Sequence, residues 1–385
     1  MIIIVAPYSP VSLSRDPHLG AARKIEMVVE ALAVLDSEII LVNSAHNEVN
    51  AKANIENLEV GGVRVKHVIP PTYSNKKMGK LLNLKDINKT VSACMAFGQL
   101  KMVWIYNSYA FENLFSMVIK KKADVPVVLE FEDWHFSRSR GLNPKPYIDN
   151  LFWKCNLKNI EFSFGVNDKL ANIMSGYGVE SALLPGVVPA NLIKLCDQET
   201  AFSDEVIKVG YFGGLTEEKG VDVLIDAIDK SPEGYKFFVS GAGILEKDLV
   251  LLSNKYPLKL DFHGRITEKK LYELIASVDV IINPHSPIND MSQGVFPFKV
   301  VEAVASGKLL ITTELPAANV PGLLEGAVFY DGSAKGLVEC ITQSRYLHKR
   351  LRGKIHSSTL VARERFSINA LLAPIKKLMN NQEET

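Results

Sequence analysis

Short runs of β-branched residues alternate with amphipathic stretches along the first half of the chain. The runs predict strands at residues 1–6, 38–43, 63–69, 102–107, 125–131, 162–167 and 182–185. The amphipathic stretches predict helices at residues 21–35, 86–97, 110–121 and 168–177. Strands that alternate with helices in this way predict a mainly parallel sheet with helices on both faces.

The same alternation begins again near residue 206. Strands are predicted at residues 206–212, 235–240, 258–263, 278–283 and 309–313, and helices at 219–229, 245–254, 268–277 and 298–306. The polar, aperiodic segment 195–204 predicts a linker between the two halves. We therefore predict an α/β protein of two Rossmann-like, doubly wound domains, residues 1–200 and 201–365, with a C-terminal helix at 366–385 that crosses back to the first domain.

Length and composition agree with this organisation. A chain of 385 residues is too long for one hydrophobic core. The formal net charge of +1 gives no overall attraction to nucleic acid, so we expect no nucleic-acid partner. The four cysteines are far apart and form no CxxC pair, which argues against a zinc ribbon and against a disulfide framework.

The apolar runs of the sequence indicate the cellular location of the protein. The run at the N-terminus is too short for a signal peptide and lacks a basic segment before it. No apolar stretch reaches the roughly 18–20 residues that a membrane span needs. We expect a cytoplasmic protein. Basic runs, such as Lys349, Arg350, Arg352 and Lys354, are either solvated helix faces or points of peripheral contact with the inner face of the membrane.

Two motifs of the second half follow predicted strands. The segment VGYFGGLTEEKG, residues 209–220, ends a strand in the glycine turn Gly213–Gly214 and places Lys219 before a helix. The segment GVFPFKVVEAVASG, residues 294–307, is a loop that enters a helix, with Glu302 about one turn inside. A nucleoside diphosphate held without a metal needs a cation and backbone N–H donors at a helix N-terminus, and its ribose diol suits a carboxylate.

Three further segments complete the pattern, namely FVSGAG (238–243), FHGRI (262–266) and ASVDVIINP (276–284). Together, over residues 206–332, the motifs resemble the donor-binding domain of glycosyltransferase family 4. The resemblance implies a GT-B fold, in which two domains face a cleft. It also implies a hexosyltransferase that moves a sugar, with retention, from a nucleoside diphosphate sugar to an acceptor hydroxyl. The setting it implies is polysaccharide or lipid-linked glycan synthesis, with no metal and no cofactor.

The resemblance also implies roles for single residues. Lys219 would hold the diphosphate, as the catalytic cation, and Glu302 the ribose hydroxyls. Arg265 and Ile266 would hold the base, largely through backbone groups. The remaining donor contacts that it implies are Gly20, Gly213, Gly214, Val295, Phe296 and Phe298.

The chain departs from the family pattern at two positions. Gly214 stands where many members carry a basic residue, and Gly294 stands where a first glutamate contacts the donor sugar. Lys299 is a candidate for the missing second cation, because it lies three residues before Glu302 and shares its helix face. A salt bridge between Lys299 and Glu302 is the alternative.

The first half is expected to bind a glycan or lipid-linked acceptor. The segment EDWHFSRSRG follows the strand at 125–131, and Glu132, Asp133 and His135 are predicted to serve turnover, with a loop of solvated charges as the alternative. Two other functions stay open: a nucleotide-sugar epimerase of the same fold and a non-catalytic sugar- or nucleotide-binding subunit. A nicotinamide enzyme is disfavoured, because Glu246 replaces the third glycine of the G-x-G-x-x-G fingerprint.

Overall fold

The computed structural model describes residues 1–9, 19–45, 52–73, 79–134, 136, 144–198, 202–203, 205–286, 298–314 and 320–383. The chain divides into two compact units. Unit 1 contains the described residues of Met1–Val187 and of Ile368–Thr385. Unit 2 contains the described residues of Val188–Met291 and of Phe296–Ser367.

Unit 1 is built on an eight-stranded sheet. Its strands are β1 (Ile2–Ala6), β2 (Ile39–Asn43), β3 (Asn54–Val60), β4 (Val63–Ile69), β5 (Met102–Tyr106), β6 (Val127–Phe131), β7 (Phe162–Gly165) and β8 (Glu180–Leu183). Its helices are α1 (Leu19–Leu32), α2 (Ile87–Met95), α3 (Ala110–Lys120), α4 (Lys145–Asn156), α5 (Asp168–Gly176) and α13 (Ile368–Glu383). The strand order is β3-β4-β2-β1-β5-β6-β7-β8, and every neighbouring pair is parallel except β3 with β4.

Strand β3 was not predicted from the sequence. It forms a hairpin with β4 through Gly61 and Gly62, whose φ angles of 55° and 75° suit a tight hairpin turn. Most of its side chains are exposed at the edge of the sheet, so the segment NIENLEV has the polar character of a loop.

Unit 2 is built on a six-stranded sheet. Its strands are β9 (Ile207–Phe212), β10 (Tyr235–Ser240), β11 (Leu260–Phe262), β12 (Val280–Asn283), β13 (Leu309–Thr312) and β14 (Val328–Phe329). Its helices are α6 (Ala190–Gln198), α7 (Val221–Lys230), α8 (Glu246–Lys255), α9 (Glu268–Ser277), α10 (Phe298–Ala305), α11 (Ala334–Thr342) and α12 (Ser344–Arg365). The order is β11-β10-β9-β12-β13-β14, and every pair is parallel.

The predicted α/β class with two doubly wound parallel sheets is confirmed. The central strands are buried along their whole length, as β1 and β5 show in unit 1. The helix α6, which begins before the polar segment 195–204, packs against α9 of unit 2. The C-terminal helix α13 packs against α1 of unit 1.

Each sheet has one point at which the strand order reverses. In unit 1, β1 lies between β2 and β5, and in unit 2, β9 lies between β10 and β12. Open parallel sheets bind ligands beyond the carboxyl ends of the strands at such a switch point. The residues that follow β1 and β5, and those that follow β9 and β12, are therefore the first places to examine for a site.

Candidate functional site

The glycine turn after β9 is fixed against the end of β10. Gly213 N donates to Ser240 O at 3.0 Å, and the Tyr211 hydroxyl donates to Gly214 O at 2.7 Å. A Cβ atom on Gly241 would lie 1.8 Å from Gly213 O, and Gly241 has a φ of 149°. Gly241, the first glycine of the segment FVSGAG, therefore allows this close packing, which a residue with a side chain would prevent.

Lys219 lies at the end of a short 3₁₀ helix, Glu217–Lys219, and contacts His285. Its Nζ lies 3.0 Å from Nε2 of His285 and donates to Glu218 Oε1 at 3.0 Å. His285 Nδ1 lies 2.8 Å from Ser286 O. A carbonyl oxygen only accepts, so Nδ1 carries the proton and Nε2 accepts from the Lys219 ammonium.

The environment of His285 keeps the imidazole neutral. Burial lowers its pKa, and the charges of Lys219 and Lys299 lower it further. A neutral imidazole with an Nδ1 proton has one lone pair, at Nε2, and that lone pair orients the Lys219 ammonium. His285 was not identified from the sequence. The available signal is its position directly after the buried strand β12, where parallel sheets carry functional residues.

The loops after β9 and β12 are joined to each other. Ser286 N donates to Glu218 O at 3.1 Å, and Ser286 Oγ donates to Glu217 O at 3.1 Å. A Cβ atom on Gly220, which has a φ of 70°, would lie 1.7 Å from Pro284 O. Only glycine permits this approach, so the two loops form one structural piece that carries both Lys219 and His285.

Lys299 lies beside the same glycine turn. It is in the first turn of α10, and its Nζ lies 4.6 Å from the ring centroid of Tyr211 and 3.5 Å from the position that a Cβ on Gly213 would take. The Nζ is buried and has no hydrogen-bond partner among the described residues. Burial first, and then the charge of Lys219, lower its pKa from 10.5 to about 7.

The Lys299 ammonium is thus a buried cation that contacts an aromatic face and, among the described residues, no anion. No ion pair joins it to Glu302, so that alternative does not apply to this structure. Tyr211, whose ring supports the ammonium, was missed from the sequence because its position inside a strand is typical of a core residue. A buried ammonium without an acceptor is costly, and a bound anion would remove that cost.

The other predicted donor contacts belong to several different elements. Glu302 is buried on α10, and Phe298 opens that helix and is half-buried. Arg265 is exposed and Ile266 half-buried in the loop after β11, where Gly264 O accepts from Gly241 N at 2.8 Å. That bond ties the Arg265 loop to the glycine pair. Gly20 lies in α1, and Val295, Phe296, Gly294 and Pro297 lie outside the described residues.

In unit 1, Glu132 is bound to a buried lysine. Lys24 forms an ion pair with Glu132, lies 3.2 Å from Glu130 Oε1, and donates to Leu184 O at 2.8 Å. Burial alone would lower the Lys24 pKa, but the charges of Glu132 and Glu130 raise it overall. Glu130 also accepts from Trp104 Nε1 at 2.8 Å. The carboxylate of Glu132 is therefore balanced by a cation from α1.

The segment after β5 carries three buried polar atoms. Asn107 has a φ of 61°, which is unusual for a residue with a side chain. Asn107 Oδ1, Ser108 Oγ and Glu112 Oε2 are buried and have no hydrogen-bond partner among the described residues. Burial raises the pKa of Glu112 to about 7, against a hydrogen bond from Ser44 that lowers it. Since buried polar groups are normally paired, these atoms are candidates for hydrogen bonds with a ligand.

Asp133 lies close to this segment. It is half-buried and, after burial itself, it contributes to the raised pKa of Tyr109, as Glu112 also does. Asp133, Glu112 and Tyr109 therefore belong to one neighbourhood at the carboxyl edge of the unit 1 sheet. His135 lies outside the described residues.

Two further features of the described residues concern metal sites and membrane-spanning helices. Within the described ranges, no three His, Cys, Asp or Glu side chains are grouped so that they could hold a metal ion. No helix in the described part of the chain has the length and apolar character needed to cross a membrane.

Comparison with known proteins agrees with this picture. Residues 207–344, which lie in unit 2, match the family model described as Glycosyl transferases group 1. The chain is 22% identical over 294 residues to the O-antigen biosynthesis glycosyltransferase WclY of Escherichia coli, covering 73% of this chain and 72% of that protein. It is 32% identical over 110 residues to a granule-bound starch synthase of Pisum sativum, covering 27% of this chain and only 18% of that protein.

Solved structures show the same fold over the whole chain. Sucrose-phosphate synthase from Thermosynechococcus elongatus superimposes with a TM-score of 0.66 at 12% identity, covering 100% of this chain and 99% of that one. Anabaena HepE, in complex with UDP, gives a TM-score of 0.64 at 14% identity, with 99% of each chain covered. The GT-B fold and the resemblance to glycosyltransferases are confirmed, and the matches support a transferase enzyme.

Proposed function

We propose that this protein transfers a hexose-type sugar from a nucleoside diphosphate sugar to an acceptor hydroxyl with retention of configuration. Unit 2 would bind the donor. The observation that carries this proposal is the buried Lys299 ammonium, which lies beside the Gly213 turn and over the ring of Tyr211 and has no acceptor among the described residues. A diphosphate at the carboxyl end of β9 would supply the missing anion.

The arrangement of Lys219 and Lys299 suits a leaving diphosphate. Negative charge grows on the diphosphate as the bond to the sugar breaks, and preorganised cations stabilise that charge. His285 holds Lys219 in place before the donor arrives. Lys299 would take up a proton as the diphosphate binds, because a nearby anion favours the charged amine.

The other residues predicted to contact the nucleotide sugar would surround Lys219 and Lys299. Glu302 would accept from the ribose hydroxyls, and Arg265 with Ile266 would bind the base. The backbone of Gly213, Gly214 and Phe298 would approach the phosphates. Gly20, Val295 and Phe296 are further proposed contacts. HepE of Anabaena was solved with UDP, which supports the choice of a nucleotide as ligand.

Unit 1 would bind the acceptor, a glycan or a lipid-linked glycan. Asn107, Ser108 and Glu112 offer buried hydrogen-bonding atoms at its switch point, and Asp133 lies near them. A carboxyl group with a pKa near 7, such as that of Glu112, is suited to exchange a proton with a hydroxyl. His135 remains a proposed participant. Glu132 would take part through its ion pair with Lys24.

We expect the reaction to need no metal and no cofactor, and to take place in the cytoplasm at the inner face of the membrane. Polysaccharide or lipid-linked glycan synthesis is the proposed setting. Its support is the similarity to WclY, a protein described as an O-antigen biosynthesis glycosyltransferase.

The proposal is tested by titrating the protein with UDP, GDP, ADP and TDP in a calorimeter, and then by assaying transfer from the matching nucleotide sugars to a panel of glycans. Binding of at least one nucleoside diphosphate, with transfer and an unchanged anomeric configuration by NMR, is the expected result. Epimerised donor without transfer would identify an epimerase. Binding with no turnover on any acceptor would identify a binding subunit, and no nucleotide binding would refute the donor site.

A further inference from the structure

Helix α12 concentrates positive charge. Its 22 residues include seven lysines and arginines and one acid, a formal charge of +6. The whole chain has a formal net charge of +1, so all other residues together carry −5. An imbalance of this size on one helix creates a local positive surface on a protein that is otherwise slightly acidic.

Four of these cations have no acidic partner among the described residues. Lys349, Arg350, Arg352 and Lys354 are all exposed. No acid in the described residues forms an ion pair with any of them, whereas Arg363 on the same helix pairs with Asp197 at 2.8 Å. Ion pairing therefore does not account for the four charges, although the Arg350 guanidinium lies 5.5 Å from the ring centroid of Tyr346.

The cations flank two exposed apolar side chains. Arg345, Lys349 and Arg352 are spaced four and three residues apart, which places them along one line of the helix surface. Arg350 and Lys354 form a second line, rotated by about 140° from the first. Tyr346, which is 61% exposed, lies between the lines, with the Arg350 guanidinium 5.5 Å from its ring centroid. Leu360, which is 54% exposed, continues the same strip about 9 Å beyond Lys354. We call this exposed face, defined by these seven residues, the basic face of α12.

The opposite side of α12 is fixed to unit 2. Its buried residues include Leu347, Ile355, Thr359 and Ala362, and the helix packs against α10. Thr359 Oγ1 donates to Val304 O of α10 at 3.0 Å. The basic face is therefore presented by a rigid element along its whole length.

We propose that the basic face of α12 docks the protein on an anionic membrane surface. Cations near such a surface contribute about 1 kcal/mol each, and four unpaired ones are enough for reversible binding. Tyrosine and leucine between the cations favour a lipid surface over nucleic acid, because both side chains can enter the boundary between headgroups and acyl chains. This inference does not depend on the proposed transfer reaction.

The test is co-sedimentation with large vesicles of phosphatidylcholine alone or mixed equally with phosphatidylglycerol. The wild type should bind the mixed vesicles, should bind them more weakly as the salt concentration increases, and should not bind the vesicles of phosphatidylcholine alone. Changing Lys349, Arg350, Arg352 and Lys354 together to Gln should weaken binding by about a hundredfold or more. The matched control changes four scattered exposed lysines, Lys121, Lys194, Lys247 and Lys269, to Gln and should bind within about twofold of wild type.

The apolar contribution has its own variant. Tyr346→Ser with Leu360→Ser keeps every charge and should lower binding several-fold at high salt, where electrostatic attraction is screened. Thermal melting of each variant confirms that the fold is intact. The proposal is overturned if the folded Gln variant of the basic face binds mixed vesicles like wild type. It is equally overturned if the wild type binds duplex DNA but not the vesicles.

Discussion

The ammonium of Lys219 is held 3.0 Å from Nε2 of His285, a neutral imidazole whose other nitrogen faces Ser286 O at 2.8 Å. The two residues come from different loops, 66 positions apart. We assign His285 a positioning role, because its contacts in the structure are with the Lys219 ammonium and with Ser286 O. The first prediction concerns this contact.

His285→Ala should lower the transfer rate by roughly 10- to 100-fold, because Lys219 loses the acceptor that orients it. His285→Gln, which keeps an acceptor, should recover part of the loss. The measurement is kcat and KM for each variant, with nucleotide affinity by calorimetry. A purely structural role would lower the melting temperature of both variants and leave kcat per folded molecule unchanged.

Lys299→Met should raise the free energy of unfolding and, at the same time, lower the affinity for the nucleotide. The folded state lowers the pKa of Lys299 from 10.5 to about 7. Folding therefore carries a penalty that is complete below pH 7, where both states are protonated, and that fades as the pH rises towards 10.5. Without nucleotide, the Met variant should be more stable by roughly 1–3 kcal/mol near pH 7 and should lack the rise in stability with pH.

Nucleotide affinity should show the opposite dependence on pH. The wild type should bind a nucleoside diphosphate more weakly as Lys299 loses its proton between pH 7 and about pH 9, whereas Lys299→Met should show a flatter profile. Calorimetry in buffers of different ionisation enthalpy should also detect proton uptake by the wild type alone. Identical profiles for the two proteins would remove Lys299 from the phosphate site.

Glu302→Gln should lower nucleotide affinity by roughly 1.5–3 kcal/mol, the scale of a hydrogen bond to a charged group. The change keeps the shape of a buried side chain and removes its charge. Affinity for the corresponding 2′,3′-dideoxyribose nucleotide should not change, since that ligand lacks the hydroxyls in question. Equal losses for both nucleotides would contradict a ribose contact.

Chelator treatment should leave transfer activity unaltered, because lysines and backbone donors would neutralise the diphosphate. The assay is turnover before and after EDTA, with magnesium and manganese added back. Activity that disappears with the chelator and returns with either metal would show that the proposed neutralisation is wrong.

The two acids after β6 should behave differently. Glu132→Gln removes one partner of the buried Lys24 and should mainly lower the melting temperature. Asp133→Asn should mainly lower the turnover rate, with donor affinity within a few fold. His135→Ala is expected to follow Asp133. If both acids affected only stability, the segment would have no part in turnover.

The sequence predicts most of the fold because the alternation of strand and helix is a local property. The strands β9 and β12 lie close to their predicted positions, and the glycine turn that leads to Lys219 follows β9 as predicted. The edge strand β3 is not predicted, because its pattern is polar and it forms a strand only by pairing with β4. Such pairing cannot be derived from the residues of β3 alone.

The partnerships within the site were less predictable than its location. Lys24 and Glu132 are 108 positions apart, and nothing near Glu132 in the sequence indicates a cation from α1. The surroundings of Lys299 were equally unpredictable, because its ammonium lies against the ring of Tyr211, which belongs to another element. Motifs locate a site at the end of a strand, but the charge state of each group depends on neighbours brought together by folding.

The contact between Gly220 and Pro284 has a consequence for how this protein can change over time. Any side chain at position 220 would collide with the carbonyl of residue 284, and the displaced loop carries His285. No side chain chosen at position 284 can relieve that collision, because the carbonyl belongs to the backbone. Among descendants of this sequence, we therefore expect position 220 to stay glycine wherever the lysine and the histidine beside it are retained, whereas this contact places no restriction on the side chain at position 284.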